Sequence, residues 1–311
     1  MSWFERIKNS ILSRAPPPGR PSQQPNEPGT VQAGGWSDMS SSQQMPPHAI
    51  ARLKGLRREG RPGGIFTLDL SVNEFLLLRK TGFEPVGLCV GSSIYHVGIQ
   101  YGSWNKNQEL DVLSQAMYQA RELAMARMQA EAAEMGADGI VGVDLTIKPL
   151  PWAEHVFEFM AVGTGVVHAR GQLGFKGPKG QPFTSDLSVS DFWTLLQAGY
   201  RPLEVVMGTC VYHVAHRGLM KSLGSVGQNV ELTNFSQALY DAREIAMERM
   251  QHEALEAGAE GVVGVDLYEG SYSWEAHVIE FFAIGTAVVP LEAGQQPSVM
   301  ADPQLVLSVN S

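Results

Sequence analysis

The sequence predicts an α+β protein of two tandem modules. Each is a long helix packed on a small antiparallel sheet, in β-α-β-β order behind a short leading helix. Two observations predict this. Residues 66–167 and 183–289 are copies of one module: FTLDLSVNEF from Phe66 is answered by FTSDLSVSDF from Phe183, and YQARELAMARMQAEAAEMGADGIVGVDL from Tyr118 by YDAREIAMERMQHEALEAGAEGVVGVDL from Tyr240. Self-similarity at such a period marks a repeated structural unit. Within each copy, one long segment keeps its apolar residues at spacings of three, four and seven, as one face of a helix requires, and the segments around it read as strands.

Each element follows in order. Ser71 with Glu74, and Ser188 with Asp191, have capping-box spacing and start a helix. That helix stops near Gly82 or Gly199, where glycine can take a left-handed turn. Pro85 and Pro202 then force extended backbone into a first strand, about 86–97 and 203–214. The long helix spans about 113–135 and 235–257. Its inner stripe is Met117, Ala120, Ala124, Met128 and Met135, repeated as Leu239, Ala242, Ala246, Met250 and Ala257; the small alanines allow close approach to a sheet. Gly136 and Gly258 end it. A second strand covers 139–145 and 261–267.

The third strand, 153–167 and 275–289, is apolar on both faces. His155, Phe157, Phe159 and Ala161 point one way; Val156, Glu158, Met160 and Val162 point the other. A sheet with a wet side would alternate more cleanly. One helical layer covers one face, so the other is expected to pack on the second module or on another subunit. This is the physical argument for a homo-oligomer.

Around the modules, 1–64 reads as a tail, 65–168 as module 1, 169–182 as a linker, 183–290 as module 2 and 291–311 as a C-terminal tail. Residues 1–14 form an amphipathic helix candidate: Trp3, Ile7 and Ile11 share a face, and Arg6, Lys8 and Arg14 supply charge. Such a helix suits a protein groove or an anionic membrane surface. Residues 15–64 are rich in Pro, Gly, Ser and Gln and are expected to be disordered, with a basic run at 52–61. A short extended segment is expected at 305–309.

The chain has 311 residues, 23 basic and 32 acidic, for a net charge of −9. The length fits about two domains, and the acidic balance argues against a nucleic-acid partner. No apolar run reaches the ~18–20 residues of a membrane span. The start of the chain lacks the uninterrupted apolar core of a secretory signal. A cytoplasmic location is expected. Cys89 aligns with Val206 and Cys210 with Ser93, so neither a disulfide framework nor a zinc cluster is indicated. Two buried thiols in a reducing compartment are expected.

The shared pattern ARExAxxRMxxEAxxxGAxGxVGVDL, followed by EFxAxGTxVV, resembles the YbjQ-like family, whose label is heavy-metal binding. The glycine step in the first strand, Gly91–Ser93 and Gly208–Cys210, also fits. The resemblance implies a small α/β subunit with a long helix on an antiparallel sheet, and assembly into pentameric rings through its strands. The duplication, the leading helix and the long N-terminal tail depart from the family's single-module form.

The family label directs attention to metal ligands, so a transition metal ion of unassigned identity is the cofactor to test. His96 and His213 are equivalent, each in a Tyr-His-Val triplet, and are the first candidates; His155 and His277 are the second pair. Glu158 and Glu280 are equivalent but point away from His155 and His277. No HxH, HxxxH or CxxC spacing occurs, so a site would have to join strands or subunits. The structural alternative for each histidine is a hydrogen-bonded core residue. Arg121, Glu122, Arg127 and Glu131 recur as Arg243, Glu244, Arg249 and Glu253; Arg127–Glu131 and Arg249–Glu253 have the spacing of surface pairs. Asp144 and Asp266 end the second strand as metal ligands or as strand-end caps, and caps are the favoured reading. No serine sits in a nucleophile elbow and no Walker lysine follows the glycines. Cys210 and His213, three apart on a strand, face opposite sides. The expected reading is a non-enzymatic oligomer that binds a transition metal; the rival is an adaptor ring whose tail recruits partners.

Overall fold

The computed structural model describes residues 45–56, 67–98, 100, 106–153, 155–169, 174–215, 233–270 and 278–292. The expected helix at 1–14 and segment at 305–309 lie outside them, as does His277. All described residues belong to one compact unit.

Module 1 holds α2 (Val72–Lys80), β1 (Phe83–His96), α3 (Asp111–Glu134), β3 (Gly139–Pro149) and β4 (Val156–His168). Module 2 repeats them as α4 (Val189–Gln197), β6 (Tyr200–His213), α5 (Thr233–Glu256), β7 (Gly261–Gly270) and β8 (Val278–Pro290). Two short strands complete the list, β2 (Gln108–Glu109) and β5 (Phe183–Thr184). The predicted order, a short helix and then β-α-β-β, is therefore present twice.

Local chemistry sets the boundaries. Ser71 and Glu74 form a full capping box at α2, and the Ser188 hydroxyl accepts from Asp191 N at α4. Gly82, Gly199, Gly136 and Gly258 follow their helices with φ between 73° and 85°, the left-handed region that suits glycine.

Each sheet borrows a strand from the other copy. Sheet 1 has the order β1-β4-β3-β5 and sheet 2 the order β2-β6-β8-β7. β5 leads into module 2 yet pairs in parallel with β3, Gly139 opposite Phe183. β2 follows module 1's first strand yet pairs with β6, Glu109 opposite Tyr212. The modules are thus laced together by backbone hydrogen bonds as well as by packing. At one end of the junction, Phe83, Phe175, Phe183 and Phe192 form a buried aromatic cluster with Leu78, Val141 and Val166.

Three expectations need correction. Inside the stretch expected to be disordered, Pro47–Leu56 forms a helix, α1, with Leu53 fully buried. Arg52 and Lys54 of α1 reach Glu131 and Glu134 of α3, so tertiary contact offsets the weak local signal. Asp144 and Asp266 do not end their strands. Each follows a register shift that opens at Val141 or Val263, where Gly142 and Gly264 have positive φ, the mark of a bulge. Arg127, Glu131, Arg249 and Glu253, expected as surface pairs on the long helices, bond to strand backbone instead.

Candidate functional site

The inner face of each sheet is locked to its own helix in the same way. Gly91 and Gly208 lie directly beneath the helix backbone: an added Cβ would overlap Ala124 O in one module and Ala246 O in the other. Arg127 donates to Ser92 O at 2.5 Å, and Arg249 donates to Thr209 O. Val90 N donates to Glu131 at 2.9 Å, and Met207 N donates to Glu253 at 2.8 Å. So these arginines and glutamates, expected as surface pairs, grip strand backbone on either side of the glycine. Arg249 also donates to Glu109 of β2 through both terminal guanidinium nitrogens, a bidentate pair. Most of the predicted inner stripe is buried here: Met117, Ala120, Ala124, Met128, Met135, Ala242, Ala246 and Met250 are essentially inaccessible, whereas Leu239 and Ala257 are half-buried.

The outer faces differ. Sheet 2 is covered a second time, by α3 of module 1. Arg121, expected on a helix surface, is 1% exposed. It donates to Glu280 at 2.8 Å and to the Thr209 hydroxyl at 2.7 Å, and its guanidinium lies 3.9 Å from the Phe282 ring centroid. Desolvated arginine over an aromatic face and against a carboxylate is a strong, directional contact. Val211 N donates to the Ser114 hydroxyl at 2.8 Å, and Leu110 N donates to Val211 O. β6 is buried along almost its whole length as a result. This confirms, for sheet 2, that the second apolar face packs on the other module.

A carboxylate cluster lies beside this seam. Glu122 of α3, Glu204 of β6 and Glu253 of α5 share a neighbourhood with Tyr118 and Lys179. Burial, and then the charge of Glu204, pushes Glu122 up to about 7. Burial and Glu122 raise Glu253 well above the ordinary carboxylate range. Tyr118 donates to Glu253 at 3.2 Å. Burial likewise pushes Asp186 up to about 6, against the lowering effect of its hydrogen bond from Thr286.

The histidines take unequal places. His96 is exposed at the end of β1; His213, its equivalent, is 4% exposed. Nδ1 of His213 lies 3.3 Å from Lys106 O, because β2 crosses there. His155 sits next to the β1 end: its carbonyl accepts from Val97 N at 2.9 Å, and its φ is 58°. His96 and His155 are therefore neighbours at one sheet end, while His213 is held in the junction. Among the described residues no group of three or more His, Cys, Asp or Glu side chains could hold a metal ion. The described part of one chain does not fit a resident metal by itself. Cys89 and Cys210 are buried free thiols, and burial raises both above the ordinary thiol range, which leaves them unreactive.

Sequence reasoning missed Arg121 and Glu280 as partners. They are 159 positions apart, and the signal was concealed because their equivalents, Arg243 and Glu158, have other surroundings. The one available sign was that Glu280 interrupts an apolar strand.

A family model described as "Putative heavy-metal-binding" matches residues 107–169 and 199–290. An encapsulin nanocompartment protein of Mycobacterium tuberculosis is 45% identical over 270 residues, which cover 87% of this chain and 99% of that protein. No helix among the described residues is long and apolar enough to cross a membrane.

Proposed function

This chain belongs to the YbjQ-like family, and we propose that it is a non-enzymatic, self-associating structural protein that serves a protein nanocompartment. The observation that carries this reading is the seam between the modules. A buried constellation, Arg121 with Glu280, Thr209 and Phe282, joins one copy of the module to the next. Buried charge placed at a module contact fits an assembly role. The relative named as an encapsulin nanocompartment protein supplies the partner class, a protein shell.

The test is co-assembly. The full chain, co-expressed with the encapsulin shell protein of its own organism, sediments with the shell on a density gradient. Its recovery only in soluble fractions free of shell contradicts the proposal.

The second reading is metal binding at the β1 end, favoured by the adjacency of His96 and His155 and by the family's description. Two imidazoles form part of a ligand set, and a second chain would have to complete it. Elemental analysis of tag-free protein prepared without chelator tests it. About one equivalent or more of a single transition metal per module pair, lost in His96→Ala, supports it, on the usual scale of a structural site. Metal below a tenth of that, with no uptake of added zinc, copper or nickel, removes it.

A further inference from the structure

The seam inside the chain has an unused twin on its surface. On α3, Ser114 and Arg121 bond to sheet 2, Tyr118 bonds to Glu253 of α5, and Met125 is buried beside them. Their equivalents on α5 are Ser236, Tyr240, Arg243 and Met247. Tyr240 is 55% exposed. Arg243 stacks on Tyr240 and pairs only with its neighbour Glu244 among the described residues. The receiving surface is also duplicated. Thr209, Val211, Glu280 and Phe282 lie beneath α3, and all are buried. Their equivalents on the outer face of sheet 1 are Ser92, Ile94, Glu158 and Met160, none of which is buried. Ile94 is 62% exposed where Val211 is fully covered. So one chain presents an uncovered helix face at one end and, at the other, the uncovered sheet face that this helix type recognises.

We propose that the outer face of α5 docks on the outer face of sheet 1 of a second copy of this chain, with Arg243 of one chain bound to Glu158 of the next. The contact repeats the seam made by Arg121 and Glu280. It is heterologous, head to tail, so it propagates until a ring closes. Charge is complementary across it: a cation on the helix meets a carboxylate in an apolar strand face. A further observation points the same way. Thr286 is held by Ser185 and Asp186, in the segment that β5 pins to β3. Thr164, its equivalent, is 1% exposed, and its hydroxyl has no partner among the described residues. The segment equivalent to 185–186 is Leu68–Asp69, where Asp69 is exposed. Along β7, Gly261 is open where Gly139 is capped by the Phe183 ring. Thus the lacing of β5 onto β3 also has a vacant counterpart on β7. The charges of the receiving strands differ between the two seams. Lys148 stands opposite Glu158 where Gly270 stands opposite Glu280. The seam between chains is therefore the more salt-sensitive one.

This deepens the self-association proposed above and rests on it. The experiment is sedimentation of the full chain, with Arg243→Glu alone and Arg243→Glu combined with Glu158→Arg, each at low and high salt. Circular dichroism and thermal unfolding verify that each variant is folded. The expected result is a discrete oligomer for the unaltered chain, folded monomer for Arg243→Glu, and recovery of the oligomer in the charge-reversed double variant. An unaltered chain that stays monomeric at all concentrations overturns the self-association itself. An oligomer that persists in Arg243→Glu overturns this interface alone, as does a double variant that stays monomeric.

Discussion

The outer faces of sheets 1 and 2 are built from matching residues, yet one is wet and the other dry. In β6 the run from Val205 to His213 is buried throughout, whereas in β1 Val90, Ser92 and Ile94 alternate with buried neighbours. The difference lies in what covers them. α3 follows β1 in the chain and lies between the two sheets, touching both. α5 packs against its own sheet and meets α3 through the Tyr118–Glu253 hydrogen bond. A duplicated module therefore shows each of its surfaces in two conditions, once satisfied and once open. The satisfied case identifies the partner of the open one. Apolar strand faces on both sides, a poor design for a lone two-layer module, become intelligible when each sheet sits between two helices.

The largest expected break in this comparison is at the buried ion pair. Arg121→Ala strands Glu280 in the junction and should cost about 3–5 kcal/mol of unfolding free energy. Arg243→Ala, whose side chain is 39% exposed, should cost at most about 1 kcal/mol in a dilute, dissociated sample. Denaturant unfolding of both variants measures the gap; equal losses would erase the distinction between the seams.

The inner faces should show no such asymmetry. Gly91→Ala and Gly208→Ala both force the helix off its sheet and should each lose about 1–3 kcal/mol or more. Similar shifts in denaturation midpoint are expected. A cost confined to one module would mean that the two inner locks are not equivalent.

The carboxylates at the seam set a pH dependence. Glu122 is pushed up to about 7 from an ordinary 4.5. The folded state then holds the proton more tightly than the unfolded chain does. Stability from this group is full below about pH 4.5, falls as pH rises through about 7, and is flat above. Glu122→Gln should raise the thermal midpoint at pH 8 and flatten the slope between these limits. An unchanged slope would place the titration elsewhere. The smallest effect is at the caps: Ser71→Ala and Ser188→Ala should each cost about 1 kcal/mol, and thermal melts should show like shifts for the two modules.

Much of this arrangement was legible in the sequence. The repeat gave the register between modules. The capping serines, the turn glycines and the alanine stripe located each helix, because they act over one or two turns of chain. The doubly apolar third strand correctly implied a second packing partner for sheet 2. The exchange of β2 and β5 was not legible, since two-residue strands carry no periodicity. α1 was hidden in a polar, proline-rich stretch, and Leu53 matters only through its distant contact. The histidines mislead for a related reason: His96 and His213 match in sequence, but β2 covers only one of them. Equivalence in sequence fixes the fold of a repeat and leaves each copy's neighbours open.

Disulfide trapping tests the central claim most directly. Ser114 and Val211 touch within the chain, and Ser236 and Ile94 are their equivalents. A chain carrying both Ser236→Cys and Ile94→Cys, oxidised at low micromolar concentration, should give covalent multimers on a non-reducing gel, and neither single substitution should extend beyond a background dimer. Monomer alone from the double variant, with the unaltered chain oligomeric under the same conditions, would contradict reuse of the internal seam between chains.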